Sequence, residues 1–269
     1  MTPTIASLNE FIQKIISVSP ATNEVLLYRG HSNRSKCKLL PSVLRTEKLK
    51  NKECAILREL VSSHPEEFNS DYTTLDKLVR VQHYSLPTRL LDVTWNPLVA
   101  LFFAINRNSG DGEVVVFRIK KDAVKFFDSD TVSCIANLAH LRREEQSAID
   151  FNITDQADFN KQRSIDRLIQ FIRVEKPHFR PEIIAGDLRK VVCVKPKKNN
   201  PRIIAQSGAF LIFGIADQLD GRHVPNITVE KISIDQKNKL RKELDRMSIN
   251  DSTLFPEIEK AAIYIKESL

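Results

Sequence analysis

The densest polar constellation beside apolar core is Gln82-His83-Tyr84-Ser85-Leu86-Pro87-Thr88-Arg89-Leu90-Leu91-Asp92-Val93-Thr94-Trp95-Asn96-Pro97. It sets an imidazole, a guanidinium, a carboxylate and several hydroxyls directly ahead of the apolar run Leu98 to Ile105. His83 and Asp92 are the side-chain types that serve as acid and base in proton transfer. A second cluster is Tyr28-Arg29-Gly30, where a cation follows the apolar residues Val25, Leu26 and Leu27. Each residue also has a structural reading. Arg89 and Asp92 could form a buried ion pair, His83 could be a satisfied core histidine, and Asn96 is explained by helix capping. A glycine-rich phosphate loop, a Gly-x-Ser-x-Gly elbow and a His-Glu-x-x-His helix are all absent.

Charge is distributed unevenly. The net charge of +7 is modest for 269 residues, enough to favour polyanions weakly. Between Arg189 and Ala216, however, six basic residues (Arg189, Lys190, Lys195, Lys197, Lys198 and Arg202) occur with no acidic one. Arg34, Lys36, Lys38 and Arg45 make a second basic stretch. Either these are solvated faces, or Arg34, Lys36, Lys38, Lys195, Lys197, Lys198 and Arg202 contact nucleic acid or another phosphorylated ligand. Cys37, Cys54, Cys134 and Cys193 are scattered, with no Cys-x-x-Cys pair and no histidine at zinc spacing. They read as reduced, mostly buried thiols, and no metal is expected.

These groups need elements to hold them. Ser7-Leu8-Asn9-Glu10 is a capping box that opens an amphipathic helix carrying Leu8, Phe11, Ile12, Ile15 and Ile16. Val25 to Tyr28 reads as a buried strand ending at Arg29, interrupted by Gly30. Helices follow over about 47–63 and 74–83. Pro87 breaks the second, and Thr88 to Thr94 reads as a strand. Asn96-Pro97 starts a helix with almost no polar face, which must lie inside the protein. A turn over 109–112 leads into a strand over 113–119. From about 130 to 175 the pattern is helical, which we read as an insert. Strand signals return at 191–194, 209–215 and 229–234, before closing helices near 236–247 and 256–268. Helices thus separate clusters of strands, which predicts an α+β fold.

The 42% hydrophobic and 28% charged content is that of a globular protein. We read residues 1–269 as one domain: an N-terminal helix over 1–20, a first half over 21–120, the insert over 130–175, a second strand cluster over 189–234, and C-terminal helices over 235–269. No apolar run approaches the roughly 20 residues a membrane-spanning helix requires. Met1 to Glu10 has no export signal, so a cytoplasmic location is expected and no membrane partner.

Four segments in order, Leu27-Tyr28-Arg29-Gly30, Gln82-His83-Tyr84 with Leu86 to Asp92, Asn96-Pro97-Leu98-Val99-Ala100-Leu101, and Arg202 to Phe210, resemble the FRG domain family, named for a Phe-Arg-Gly motif in which Tyr28 here replaces the Phe. The resemblance runs from about Ala21 to Gly214 and takes in Thr253-Leu254-Phe255-Pro256. It implies a bacterial or phage protein, often encoded near defence genes.

More distantly, the order of parts is similar to the ADP-ribosyltransferase fold. There a strand-borne arginine, a hydroxyl-bearing strand running into a helix, and a late strand with a catalytic glutamate surround NAD in a cleft of a mixed, split β-sheet. The resemblance implies that Arg29 grips the NAD pyrophosphate through paired, charge-assisted hydrogen bonds. Thr88, Thr94 and Asn96 would shape the ribose pocket, His83 and Trp95 would flank nicotinamide, and Gln206 would orient the reacting ribose. Tyr28, Gly30, Gln82 and Arg89 would complete the cofactor wall, with Arg29, His83, Asp92 and Gln206 as the catalytic set. Gln206 stands where the glutamate would fall, and an amide cannot supply the charge that stabilises a cationic sugar. Either Asp92, Glu144 or Glu145 supplies it, or the site binds without turnover. The resemblance therefore implies an NAD-consuming defence or toxin effector acting on nucleic acid or protein. The alternatives are a non-enzymatic nucleotide- or nucleic-acid-binding module using Arg29, Arg89 and the Arg189 to Arg202 stretch, and a nuclease or other hydrolase using His83 and Asp92.

Overall fold

In a computed structural model of the chain, residues 4–36, 38–106, 110–215, 224–257 and 266 are described. The elements in chain order are α1 (Leu8–Ser17), β1 (Glu24–His31), α2 (Glu47–Ser63), α3 (Thr74–His83), β2 (Leu90–Thr94), α4 (Pro97–Ile105) and β3 (Gly112–Lys120). Then come β4 (Val124–Phe126), α5 (Asp130–Asn137), α6 (Arg143–Ser147), α7 (Gln156–Asn160) and α8 (Arg163–Glu175). The chain continues with β5 (Val191–Lys195), α9 (Pro201–Ala205), β6 (Gly208–Phe213), β7 (Ile227–Ile234), α10 (Lys237–Arg246) and α11 (Asp251–Leu254).

The strands form one curled, mixed sheet in the order β4-β5-β6-β2-β1-β3-β7, parallel only between β4 and β5 among the described pairs. This is the α+β architecture expected. The sheet is nearly divided at its centre. β1 pairs with β3 along its whole length from Glu24↔Lys120 to His31↔Glu113, but with β2 through Tyr28↔Thr94 alone.

Alternation along the strands sends side chains to two faces. Leu27, Val115, Phe117, Leu91, Leu211 and Phe213 fill one core on one face. On the other face the helices build two separate cores. Tyr28, Val114 and Val116 pack with α4 and α10, whereas Leu90, Phe210 and Ile212 pack with α3 and α5. The helical region over 130–175 adds a fourth cluster around Leu138, Phe159, Ile165 and Ile172.

Several boundaries differ from the sequence expectation. Gly30 does not end β1, which runs on to His31. A Cβ at Gly30 would stand 1.9 Å from the Ala100 carbonyl oxygen and 2.6 Å from the Ala104 nitrogen, so glycine is there to let α4 lie directly on the strand. β2 begins at Leu90 rather than Thr88. The short β4, α9 and α11 were not anticipated, and the closing helix expected over 256–268 falls largely outside the described residues, with Pro256 and Glu257 non-helical. Cys54, Cys134 and Cys193 are free and buried, and Cys37 lies outside the described residues.

Arg89 is a further correction. Only 1% exposed, it makes a two-pronged ion pair with Glu53 of α2 (Nε to Oε1 2.8 Å, Nη2 to Oε2 2.5 Å) and donates through Nη1 to the Phe213 carbonyl at 3.0 Å. Its partner is therefore not Asp92, and it ties α2 to the sheet rather than facing a cofactor.

Candidate functional site

The near-division of the sheet makes the site. On the helical face, between α4 on one side and α3 with α9 on the other, lies a cleft of about 220 Å³ floored by Asp92, Thr94 and Gly208. Local sequence explains how each wall presents its groups. α3 closes on Ser85, in the left-handed region at φ 63, with the Leu86 N–H reaching back to the Val81 carbonyl at 3.2 Å. Gln82 and His83 are thereby left on the last turn, at the cleft. Asn96 caps α4 by accepting from the Leu98 N–H at 2.9 Å, and α4 brings Val99 and Phe103 to the opposite wall. Asn200 caps α9 in the same way, accepting from the Arg202 N–H at 2.9 Å, and α9 sets Arg202, Ile203 and Gln206 along the third side.

Arg29 sits where β1 and β2 part. Its Nη1 donates to the Asp92 carbonyl at 2.6 Å and lies 3.7 Å from the Asp92 carboxylate, while Nε donates to His31 Nε2 at 3.2 Å. Burial, then the neighbouring Arg29, Arg45 and Lys231 cations, push His31 down to a pKa of about 3. His31 is thus a neutral acceptor that holds the guanidinium in place. The Asp92 side chain is 63% exposed and accepts from Gln82 Nε2 at 2.7 Å. Gln82 Oε1 in turn accepts from the Thr88 hydroxyl. Thr94 Oγ1 donates to the Gln206 carbonyl at 2.7 Å and accepts from the Asn96 N–H at 3.0 Å, joining floor to wall.

Behind the α9 wall runs the Thr253 to Pro256 segment that the family resemblance took in, followed by Glu257, a residue the sequence reading did not single out. Leu254 and Phe255 are buried in the α4 core, and the Leu254 carbonyl accepts from Gln206 Nε2 at 3.0 Å. The Arg202 guanidinium lies 4.9 Å over the Phe255 ring. Glu257 then reaches His83 Nε2 at 3.4 Å and Arg202 Nη1 at 3.9 Å, while its Oε2 is buried without a hydrogen-bond partner. Burial and the Arg202 charge lower the His83 pKa, and Glu257 opposes them. His83 is therefore neutral at pH 7 and able to accept a proton.

The four residues expected to carry catalysis, Arg29, His83, Asp92 and Gln206, all line this cleft, with Tyr28, Gly30, Gln82 and Thr94 of the expected cofactor set. Others are elsewhere. Thr88 is 1% exposed and acts on the cleft only through Gln82. Asn96 caps a helix. Trp95 follows Thr94 on the strand and so points to the opposite face, where Lys195 lies over its ring. Glu145 is engaged with Arg167 at 2.9 Å, and neither it nor Glu144 borders the cleft. Of the basic residues, Arg202 lines the cleft, Arg34 pairs with Asp111 at 2.9 Å, and Lys197 pairs with Asp76 at 2.9 Å. β1 and β5 run in opposite directions, so Arg34, Lys36 and Lys38 lie beyond one end of the sheet and Lys195 and Lys198 beyond the other. No group of three or more His, Cys, Asp or Glu able to hold a metal occurs among the described residues.

Residues 24–112 match the family model of the FRG domain. Over that segment the chain is similar to the FRG domain. The matched FRG segment runs from β1 to the first residue of β3, so it carries Arg29, Gln82, His83, Asp92 and Thr94, while Arg202 and Gln206 are brought to the same cleft from beyond it, and Glu257 contacts His83 and Arg202. No curated protein and no solved structure matches the chain.

Proposed function

We propose that this cleft binds NAD and that the protein is an ADP-ribosyltransferase-like effector with a defence or toxin role, modifying nucleic acid or protein. The observation that carries this reading is the convergence of three distant segments, Tyr28 to Gly30, Gln82 to Thr94 and Arg202 to Gln206, on one cleft that pairs cations with an apolar wall. Arg29 and Arg202 grip the pyrophosphate. Val99, Phe103 and Phe210 supply a flat apolar surface for an aromatic ring. Thr94 and Gln206 border the ribose. In transfer, the bond from the ribose to nicotinamide breaks, its electron pair leaves with the nicotinamide nitrogen, and an acceptor oxygen or nitrogen bonds to the sugar carbon. His83 takes the acceptor's proton, and the Asp92 and Glu257 carboxylates supply the negative charge that Gln206 lacks.

The test is release of nicotinamide from NAD by the purified chain, alone and with nucleic acid or protein acceptors. Arg29→Ala is expected to lower the rate by at least about a hundredfold, in the range of a lost electrostatic contact. No release under any of these conditions overturns the reaction. A second reading has its own support: the Gln206 amide is tied to the Leu254 carbonyl and Asp92 to Gln82. Such a site binds a nucleotide without turning it over. Calorimetry separates the two, since binding without release leaves only the second. The hydrolase reading is weaker, because His83 and Asp92 have different partners, Glu257 and Gln82.

A further inference from the structure

At the end of the sheet where β5 finishes, aromatic rings and lysines interleave in a way that the cleft does not use. β4 is the edge strand, and its last residue, Phe126, is 61% exposed. In register with it stands Lys195, whose ammonium lies 5.5 Å from the Phe126 ring and 5.4 Å from that of Trp95, so that one cation is shared by two rings. Lys197 repeats the arrangement over Phe127 at 4.9 Å. Lys198, the next residue, is exposed. Lys197 is balanced by Asp76, but neither Lys195 nor Lys198 has a carboxylate within ion-pair distance among the described residues. A single exposed phenylalanine is ordinary. An exposed phenylalanine and a half-buried tryptophan around Lys195, with exposed Lys198 three residues on and neither lysine paired to a carboxylate among the described residues, are a surface for a ligand that has both ring faces and negative charge.

We propose that this edge, built on Trp95, Phe126, Lys195 and Lys198, docks single-stranded nucleic acid. Unstacked bases offer π-faces to aromatic rings while phosphates engage lysines, and the combination tolerates any sequence. A duplex hides its base faces and offers only its backbone, and an acidic peptide offers charge without rings. The surface lies on the face of the sheet opposite the cleft, and the two are joined through the chain. Trp95 follows Thr94 of the cleft floor, and the segment from Lys195 through Asn200 to Arg202 passes from the lysines to the cleft wall.

Trp95 is the only tryptophan of the chain, which makes its fluorescence a local reporter. A single-stranded oligonucleotide of about ten nucleotides is expected to quench it, with an affinity that falls about 20-fold between about 50 and about 200 mM salt if three phosphates are contacted. A matching duplex and a polyglutamate peptide are expected to bind at least tenfold more weakly. Followed by anisotropy of a labelled oligonucleotide, Phe126→Ala with Lys195→Ala weakens binding about tenfold or more, and Lys198→Ala alone lowers the salt slope by about 0.7. Thermal melting of the variants guards against loss of fold. Absence of quenching and of anisotropy change, or duplex or polyglutamate binding as tightly as the single strand, overturns the proposal. NAD binding to the same samples by calorimetry reports on the cleft separately, so loss of either interaction identifies which reading has failed.

Discussion

His31 and His140 show how burial sets the charge of single residues here. Burial, with Arg29, Arg45 and Lys231 acting on His31 and with Lys77 and Arg58 acting on His140, takes His31 to about 3 and His140 to about 4, against an ordinary 6.5. Both are neutral in the folded protein at pH 7, whereas the unfolded chain protonates them near 6.5. Below that pH the unfolded state binds protons that the native state does not, so stability falls as pH drops from 6.5 toward 4. His140 alone is expected to account for roughly 3 kcal/mol over this window. Urea midpoints at pH 7 and pH 4.5 measure the loss, and His140→Gln should flatten the slope. His83 responds to its neighbours in opposite directions. Glu257→Gln should lower its pKa further and Arg202→Ala should raise it, as read from the ring-proton shifts in an NMR titration. Any nicotinamide release should decline as pH falls through that pKa, because the neutral ring is the acceptor.

Among the elements, α4 lying on β1 is the contact with least tolerance. Gly30→Ala would drive a methyl into the backbone at Ala100 and Ala104, at a cost of about 3 kcal/mol or more, whereas Gly186→Ala, with nothing within 4 Å of its Cβ, should be close to neutral. Chemical denaturation of the two variants compares them directly. α4 itself was legible, because Asn96-Pro97 is a start signal and an all-apolar helix has to be buried. Gly30 was misread because a glycine in a strand looks like a break when its reason is a helix far along the chain. α9 carries the same signal, Asn200-Pro201, but its five residues are too few for periodicity to register. Strand alternation explains the mixed outcome at the site. Asp92 and Thr94 face the cleft, so Trp95 could not, and Arg89, one residue before β2, found Glu53 of α2, a helix that sequence spacing does not place against it. Glu257 was invisible because it depends on the path of the chain after Leu254 and Phe255 enter the core.

For the molecule as a whole, the Glu53–Arg89 pair links the helical layer to the sheet, joined by Gln146 Nε2 at 3.4 Å from Glu53 Oε2. Removing one partner strands a buried charge. Arg89→Met or Glu53→Leu alone should cost about 3–5 kcal/mol, and the double substitution markedly less than the sum of the two. A denaturant cycle over the four proteins gives the coupling.

The single Tyr28↔Thr94 pair between β1 and β2 also bears on how the protein comes apart. On the helical face each half of the sheet has its own core, and only the core on the opposite face is common to both. Amide exchange should therefore report two cooperative units meeting at this seam, with protection lowest along it. Any ligand seated against Arg29 touches strands from both units, so it works as a clasp. At a hundred times its dissociation constant it would add about 2.7 kcal/mol to holding the halves together, and the seam would become the part of the molecule whose opening rate keeps time with occupancy.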